Sequence, residues 1–396
     1  MPVSSIRPAS TAPHAAAAGF GIYVHWPFCE AKCPYCDFNS HVRPTIDEAR
    51  WTAALARELS HYADQTAGST VTSVFFGGGT PSLMSPQSVG RLIDRVCSLW
   101  PVADDVEITL EANPSSVEAE KFRGFRDAGV NRLSVGVQSL KDPDLRFLGR
   151  VHDAAAGRRA LAVAESVFAN YSADFIYALP DQTGQDWGRE LADILALAGP
   201  HLSLYQLTIE PNTGFAGAVR RGALQPLDDD RAAALLDVTE AATAAAGLPA
   251  YEVSNHARPD HQSRHNLTYW RYGDYVGVGP GAHGRIDRAG ARFATIQQRK
   301  PETWLGAVEA SGHGTASQSR IDAAAQVEEM LLMGLRLTEG VDLSTVADRT
   351  GVATTLINGQ ALSELLDEDL LWQTGQRIGT TPRGRPVLNA VLAHLL

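Results

Sequence analysis

Three of the four cysteines in this chain of 396 residues stand within eight positions, as Cys29-Glu30-Ala31-Lys32-Cys33-Pro34-Tyr35-Cys36. Clustering this tight points to metal rather than to disulfides, and four cysteines are too few to scaffold so long a chain. Zinc usually takes four ligands in two separated pairs. Here no fourth ligand lies nearby, and Cys97 falls in an apolar-periodic stretch that reads as helix. Iron–sulfur clusters are held by cysteine thiolates, normally four for a 4Fe–4S centre. Three would leave one iron open to a chelating ligand. The flanking Pro27, Glu30, Lys32 and Pro34 suit an exposed loop, which argues against buried structural cysteines. A structural zinc site stays as the rival reading.

Other residues with chemical potential recur at the ends of apolar runs. Phe75-Phe76-Gly77-Gly78-Gly79-Thr80-Pro81 follows one of them. Glycines there would let backbone approach a small ligand closely, although a plain turn is the commoner meaning. Glu111 ends another run, where it could take a ribose hydroxyl or make a rim salt bridge. Gln138 and Arg150 follow the same logic, and a guanidinium can grip a carboxylate in two-pronged fashion. Asp174 lies inside an apolar stretch, where a lone carboxylate needs a partner. His25, His152, His265 and His283 are candidate ligands, or anchors of loop backbone through hydrogen bonds.

Apolar, β-rich runs at 21–28, 72–76, 106–111, 132–137, 173–178 and 202–209 carry these residues at their ends. Between them, 47–62, 86–99, 117–127, 154–168 and 187–197 show helical spacing, with Ser85, Ser116 and Asp153 as caps. Alternation of this kind predicts a parallel sheet with right-handed crossovers, and sites at the C-terminal ends of the strands. The expectation is an α/β fold, a partial (β/α)6 barrel over 19–312. Its 251–284 stretch reads as mostly loops over the site face. A small helical, winged-helix-like domain follows over 313–396, with helices at 321–337, 343–349, 354–366 and 386–396 and a hairpin at 370–381.

Composition narrows the partners. Hydrophobic residues make up 44%, enough for a sizeable core, and the net charge is −11. With no basic excess, binding to nucleic acid through phosphates is not expected. Residues 1–18 lack the apolar run of a secretory signal and read as a disordered tail. No window reaches the length of a membrane span. A cytoplasmic location is expected, with peripheral membrane contact left open.

A three-then-two cysteine spacing after a strand resembles the radical S-adenosylmethionine superfamily. There, a 4Fe–4S cluster chelates S-adenosylmethionine at its open iron and cleaves the sulfonium to a 5′-deoxyadenosyl radical. The resemblance narrows at Tyr23-Val24-His25-Trp26-Pro27-Phe28-Cys29, Thr80-Pro81-Ser82, Ser134-Val135-Gly136-Val137-Gln138-Ser139 and Leu148-Gly149-Arg150-Val151-His152. It extends to Tyr177-Ala178-Leu179-Pro180-Asp181-Gln182-Thr183 and His265-Asn266-Leu267-Thr268-Tyr269-Trp270. Together these are similar to the coproporphyrinogen dehydrogenase-like family from Gly19 onward.

That family has an enzymatic branch, the oxygen-independent coproporphyrinogen III dehydrogenases, and a heme-chaperone branch. The enzymes carry a further cysteine two residues after the third ligand, where this chain has Phe38, and a longer N-terminal extension. Both departures favour the chaperones. The resemblance then implies Cys29, Cys33 and Cys36 as cluster ligands, with Tyr23, Gly78 and Glu111 at the bound S-adenosylmethionine. Tyr35, Gly79, Thr80, Gln138, Arg150 and Asp174 match contacts to a second S-adenosylmethionine in the dehydrogenase. It implies heme as cargo, with His265 or His283 as ligand. Heme-accepting proteins, respiratory ones among them, and an electron donor for the cluster are the implied partners.

Overall fold

The computed structural model describes residues 18–352 and 357–396; the expected tail lies outside them apart from Ala18. Six parallel strands run side by side in chain order: β1 (Phe20–Trp26), β2 (Val71–Gly78), β3 (Val102–Ala112), β4 (Arg132–Gln138), β5 (Asn170–Tyr177) and β6 (His201–Gln206). β1 is buried at all but one position. Burial on both faces is why such strands read as continuous apolar runs. The crossovers are α1 (Glu48–Gln65), α2 (Pro86–Leu99), α3 (Ser116–Asp127), the pair α4 (Asp142–Phe147) and α5 (Ala154–Val167), and α6 (Gly184–Leu197). Ser85 and Asp153 cap α2 and α5 through their side chains. Ser116 is instead the first residue of α3.

The sheet is wider than six strands, and here the expectation of loops fails. Helices α7 (Gly214–Arg220) and α8 (Asp229–Ala245) follow β6, and β7 (Asn255–Ala257) then pairs antiparallel with it. After α9 (Arg264–Trp270) comes β8 (Asp274–Val278), a seventh parallel strand on the other side of β1. β9 (His283–Arg288), β10 (Ala291–Gln297) and β11 (Thr315–Arg320) extend that edge antiparallel. β8 is five residues long and contains a glycine, so its burial comes from β1 rather than from any visible periodicity. β11 is a polar edge strand of the main sheet, although the expected boundary at 313 assigned it to the C-terminal unit.

A second core begins after β11. α11 (Ala323–Gly334), β12 (Val341–Asp342), α12 (Leu343–Thr350), α13 (Gly359–Asp367), β13 (Leu371–Thr374), β14 (Arg377–Thr380) and α14 (Leu388–Leu395) follow α10 (Pro301–Ser311) and β11 in the chain. Three strands join in the order β12-β14-β13. One helix and strand, then two helices and a hairpin, is the winged-helix order that the sequence suggested. Val327, Leu331, Val346, Ile378 and Leu395 pack at its centre. Part of the helix expected at 354–366 lies outside the described residues.

One buried carboxylate ties α1 to the extension of the sheet beyond β1. Glu58 on α1 is fully buried. It accepts hydrogen bonds from Gly279 N at 2.7 Å, Gly314 N at 2.6 Å and Trp304 Nε1 at 2.9 Å. Those donors lie just after β8, just before β11 and in α10. An orphaned buried donor costs about 1–3 kcal/mol. Glu58→Ala orphans three, so a loss on the order of 3 kcal/mol or more is expected by urea denaturation. Glu309→Ala, which removes an exposed ion pair with Arg50, should leave the midpoint unchanged. Equal midpoints for the two variants would refute the clamp.

Candidate functional site

The three cysteines lie on the loop that leaves β1. Phe28–Cys29 pairs in parallel with His41–Val42, so the loop is closed at its base. Within it Cys36 N donates to Cys33 O at 3.2 Å, forming a turn. Asn39 Nδ2 donates to Pro280 O at 2.8 Å and to Arg299 O at 2.9 Å, which fastens the loop to the segments after β8 and β10. Neighbours reach the sulfurs individually. Thr80 Oγ1 donates to Cys29 Sγ at 3.3 Å, Arg150 Nη1 to Cys33 Sγ at 3.6 Å, and Ser40 Oγ lies 3.9 Å from Cys36 Sγ. Burial pushes the thiols of Cys29 and Cys36 upward. A Cβ on Gly149 would stand 2.5 Å from Pro34 Cδ, so the Leu148–Arg150 turn can press on the loop only as glycine.

All three cysteines line one cavity of about 860 Å³. Among the described residues, no three His, Cys, Asp or Glu side chains gather tightly enough to hold a single ion. A cluster places each thiolate on its own iron, and three soft sulfur donors on one wall of an open cavity fit it. They do not resemble the closed four-ligand arrangement of structural zinc. Cys97 is exposed on α2.

The same cavity brings together Tyr23, Tyr35, Gly79, Thr80, Glu111, Gln138, Arg150, Asp174 and His265. Gly78 and His283 instead line an adjoining cavity of about 420 Å³, which shares Tyr23, Phe38, Glu111 and Tyr269 with the first. Gly78 N donates to Glu111 Oε2 at 3.0 Å, and burial pushes the Glu111 carboxyl up to about 8. Asp174 has the partners its position demands: Ser134 Oγ donates at 2.6 Å and Ser172 Oγ at 2.8 Å. Burial raises its carboxyl while these hydroxyls hold it down. Arg150 grips no carboxylate. Its Nη2 donates to Asn113 Oδ1 at 2.5 Å and Gly136 O at 3.0 Å.

The histidines separate clearly. His25 Nε2 donates to Asn39 O at 3.0 Å, which leaves Nδ1 to accept from the Tyr23 hydroxyl at 3.0 Å. Burial pushes its imidazolium form down to about 4. His152 Nε2 donates to Val137 O at 3.0 Å and is a backbone anchor. His265 has both ring nitrogens engaged, Nδ1 with Ser73 Oγ at 2.8 Å and Nε2 with Tyr269 OH at 2.6 Å. It is 1% exposed, so in this conformation it offers no nitrogen to a metal, contrary to its expected role. His283 is exposed, and its ring makes no hydrogen bond among the described residues. Sequence reasoning missed Asn39, Asn113 and Ser134, whose partners lie far away in the chain, and Ser172, which the period of two along one strand places on the face of Asp174.

An open β/α barrel with a three-cysteine loop at its C-terminal rim and a winged C-terminal unit defines a radical S-adenosylmethionine protein. The Radical SAM superfamily profile matches residues 23–194, and the HemN C-terminal domain profile matches 321–387. The chain belongs to the family of the HemW heme chaperones within that superfamily. The heme chaperone HemW of Escherichia coli (strain K12) is 37% identical over 95% of this chain and 97% of its own. The mitochondrial radical S-adenosyl methionine domain-containing protein 1 of Bos taurus is 38% identical over 98% of this chain and 89% of its own. Among solved structures, coproporphyrinogen III oxidase (HemN) from Escherichia coli superposes with a TM-score of 0.80, covering 96% of this chain and 90% of that one. At 21% identity, it attests the fold alone. No helix among the described residues is long and apolar enough to cross a membrane.

Replacing Cys29, Cys33 or Cys36 by Ala should abolish the iron–sulfur charge-transfer absorbance of anaerobically reconstituted protein, whereas Cys97→Ala should retain it. Iron and sulfide assays check the same outcome. Equal loss from Cys97→Ala would misplace the ligand set.

Proposed function

We propose that this protein is a cytoplasmic heme chaperone. It binds heme and passes it to acceptor proteins, and it carries a 4Fe–4S cluster on Cys29, Cys33 and Cys36 with exchangeable S-adenosylmethionine. The single observation that carries the reading is Phe38. It stands where the dehydrogenases carry a further cysteine, and here it is 56% exposed and lines both cavities. An apolar ring at the rim of the cluster loop suits a flat, greasy cargo and offers no thiol to a radical reaction. Family membership supports the same choice.

When bound, the cluster supplies one electron that cleaves the sulfonium of S-adenosylmethionine. The chain's own residues hold that ligand. The amides of Gly78 and Gly79 are spent on Glu111 and Trp26 O, so it is their carbonyls that can accept from its polar end. Glu111 is poised for a ribose hydroxyl and Asp174 for a second polar contact. Arg150, braced on Asn113 and Gly136, lies against Cys33, and its positive charge offsets that of a thiolate. Gln138 and Tyr35 close the same wall. An electron donor for the cluster and heme-accepting proteins are the partners this reading requires.

Heme titration of the anaerobically reconstituted protein should give a saturable Soret shift near one equivalent. Coproporphyrinogen supplied with reductant and S-adenosylmethionine should give no divinyl product at enzymatic rates. Absence of a saturable shift, or efficient divinyl formation, would overturn the proposal in favour of the dehydrogenase reading.

A further inference from the structure

The smaller cavity has properties that the cluster chemistry does not use. It opens beside the cluster cavity, behind the shared side chains of Tyr23, Phe38, Glu111 and Tyr269. Tyr269, Trp270 and Tyr272 line it, together with His283, Arg285 and Met333. Tyr269 is braced edge-on against Tyr275, with ring centroids 4.5 Å apart. Aromatic walls of this kind favour a flat conjugated ligand.

His283 differs from the other imidazoles described for the site. His25, His152 and His265 each spend ring nitrogens on hydrogen bonds to neighbouring groups. His283 makes none among the described residues and stays exposed at the start of β9. Its backbone is fixed rather than loose. A Cβ on Gly277 would stand 2.0 Å from His283 O, so β8 and β9 approach as closely as a bare backbone permits. Met333 adds a thioether to the same space. His and Met are the two side chains that commonly hold heme iron together. Arg285 is held in the wall by Glu329, which accepts from its Nε and Nη2, while its Nη1 donates to Gly284 O.

Resting on the heme-chaperone reading, we infer that this second cavity, not the cluster cavity, seats the iron tetrapyrrole. His283 is its ligand, and Met333 lines the same space. Heme binding and cluster binding are then spatially separate, and each survives loss of the other.

The test is heme titration of the full chain, with and without reconstituted cluster, read by affinity and by Soret position. The wild type should bind heme equally in both forms and in the presence of S-adenosylmethionine. His283→Ala should weaken binding at least about 10-fold, as loss of a metal-orienting contact does. Its Soret band should move, and added imidazole should restore it. His265→Gln, which keeps hydrogen-bonding groups beside Ser73 and Tyr269, should preserve the wild-type spectrum. Met333→Leu should change the spin state with a smaller loss of affinity. If the wild type binds heme and His283→Ala binds it equally with an unchanged spectrum, the inference fails while the chaperone reading stands. Displacement of heme by cluster and S-adenosylmethionine together would place heme in the larger cavity and overturn it likewise. If the wild type itself binds no heme, the chaperone reading falls first.

Discussion

The site depends on a steric constraint at the end of β1. His25 to Phe28 run between two neighbouring strands that present only glycine to them. A Cβ on Gly78 would stand 2.4 Å from the His25 ring, and one on Gly79 2.6 Å from Phe28 O. From the other side, a Cβ on Gly279 would stand 2.4 Å from His25 O. Contacts this short cannot be relieved by rotating a side chain when the far atom is backbone. The glycines therefore do more than leave room for a ligand. They let the strand that delivers Cys29 sit deeper than its neighbours would otherwise permit, and Gly78 (φ 112°) and Gly279 (φ 98°) adopt backbone conformations that favour glycine.

Everything around the cysteines hangs from that seam. Glu58 fixes Gly279 from below, and Asn39 fixes the cluster loop to Pro280, the next residue. His25 joins the two by donating to Asn39 O. A carboxylate buried in the core is thus three contacts away from the loop that carries the thiols. Each of these bonds joins one side chain to a backbone amide or carbonyl, so the fold and the packing of Glu58, Asn39 and His25 set the geometry together. That is how a loop following a strand can hold three donors in a defined disposition.

How much of this was legible follows from which forces act locally. The six strands showed because burial on both faces leaves a continuous apolar run. β8 did not show, because five residues with a glycine carry no period, and β1 supplies their burial. The cysteine spacing was readable because its chemistry is local. The cross-strand partner of Asp174 was not. Ser172 shares its strand two residues back, but Ser134 reaches it only through the register of β4 on β5, which places Ser134 opposite Ser172 and Gly136 opposite Asp174. His265 is similar: the hydroxyl that occupies its Nδ1 belongs to Ser73 on β2, far back in the chain from α9. Sequence shows a histidine among aromatics, and only the fold shows that both its nitrogens are spent.

The partition between the two cavities gives the site a further property. Tyr23, Phe38, Glu111 and Tyr269 face both spaces, so the two cavities share one wall. Burial pushes the Glu111 carboxyl up to about 8, against the pull of the Gly78 amide. The partition between the cavities therefore consists of three aromatic rings and one carboxyl.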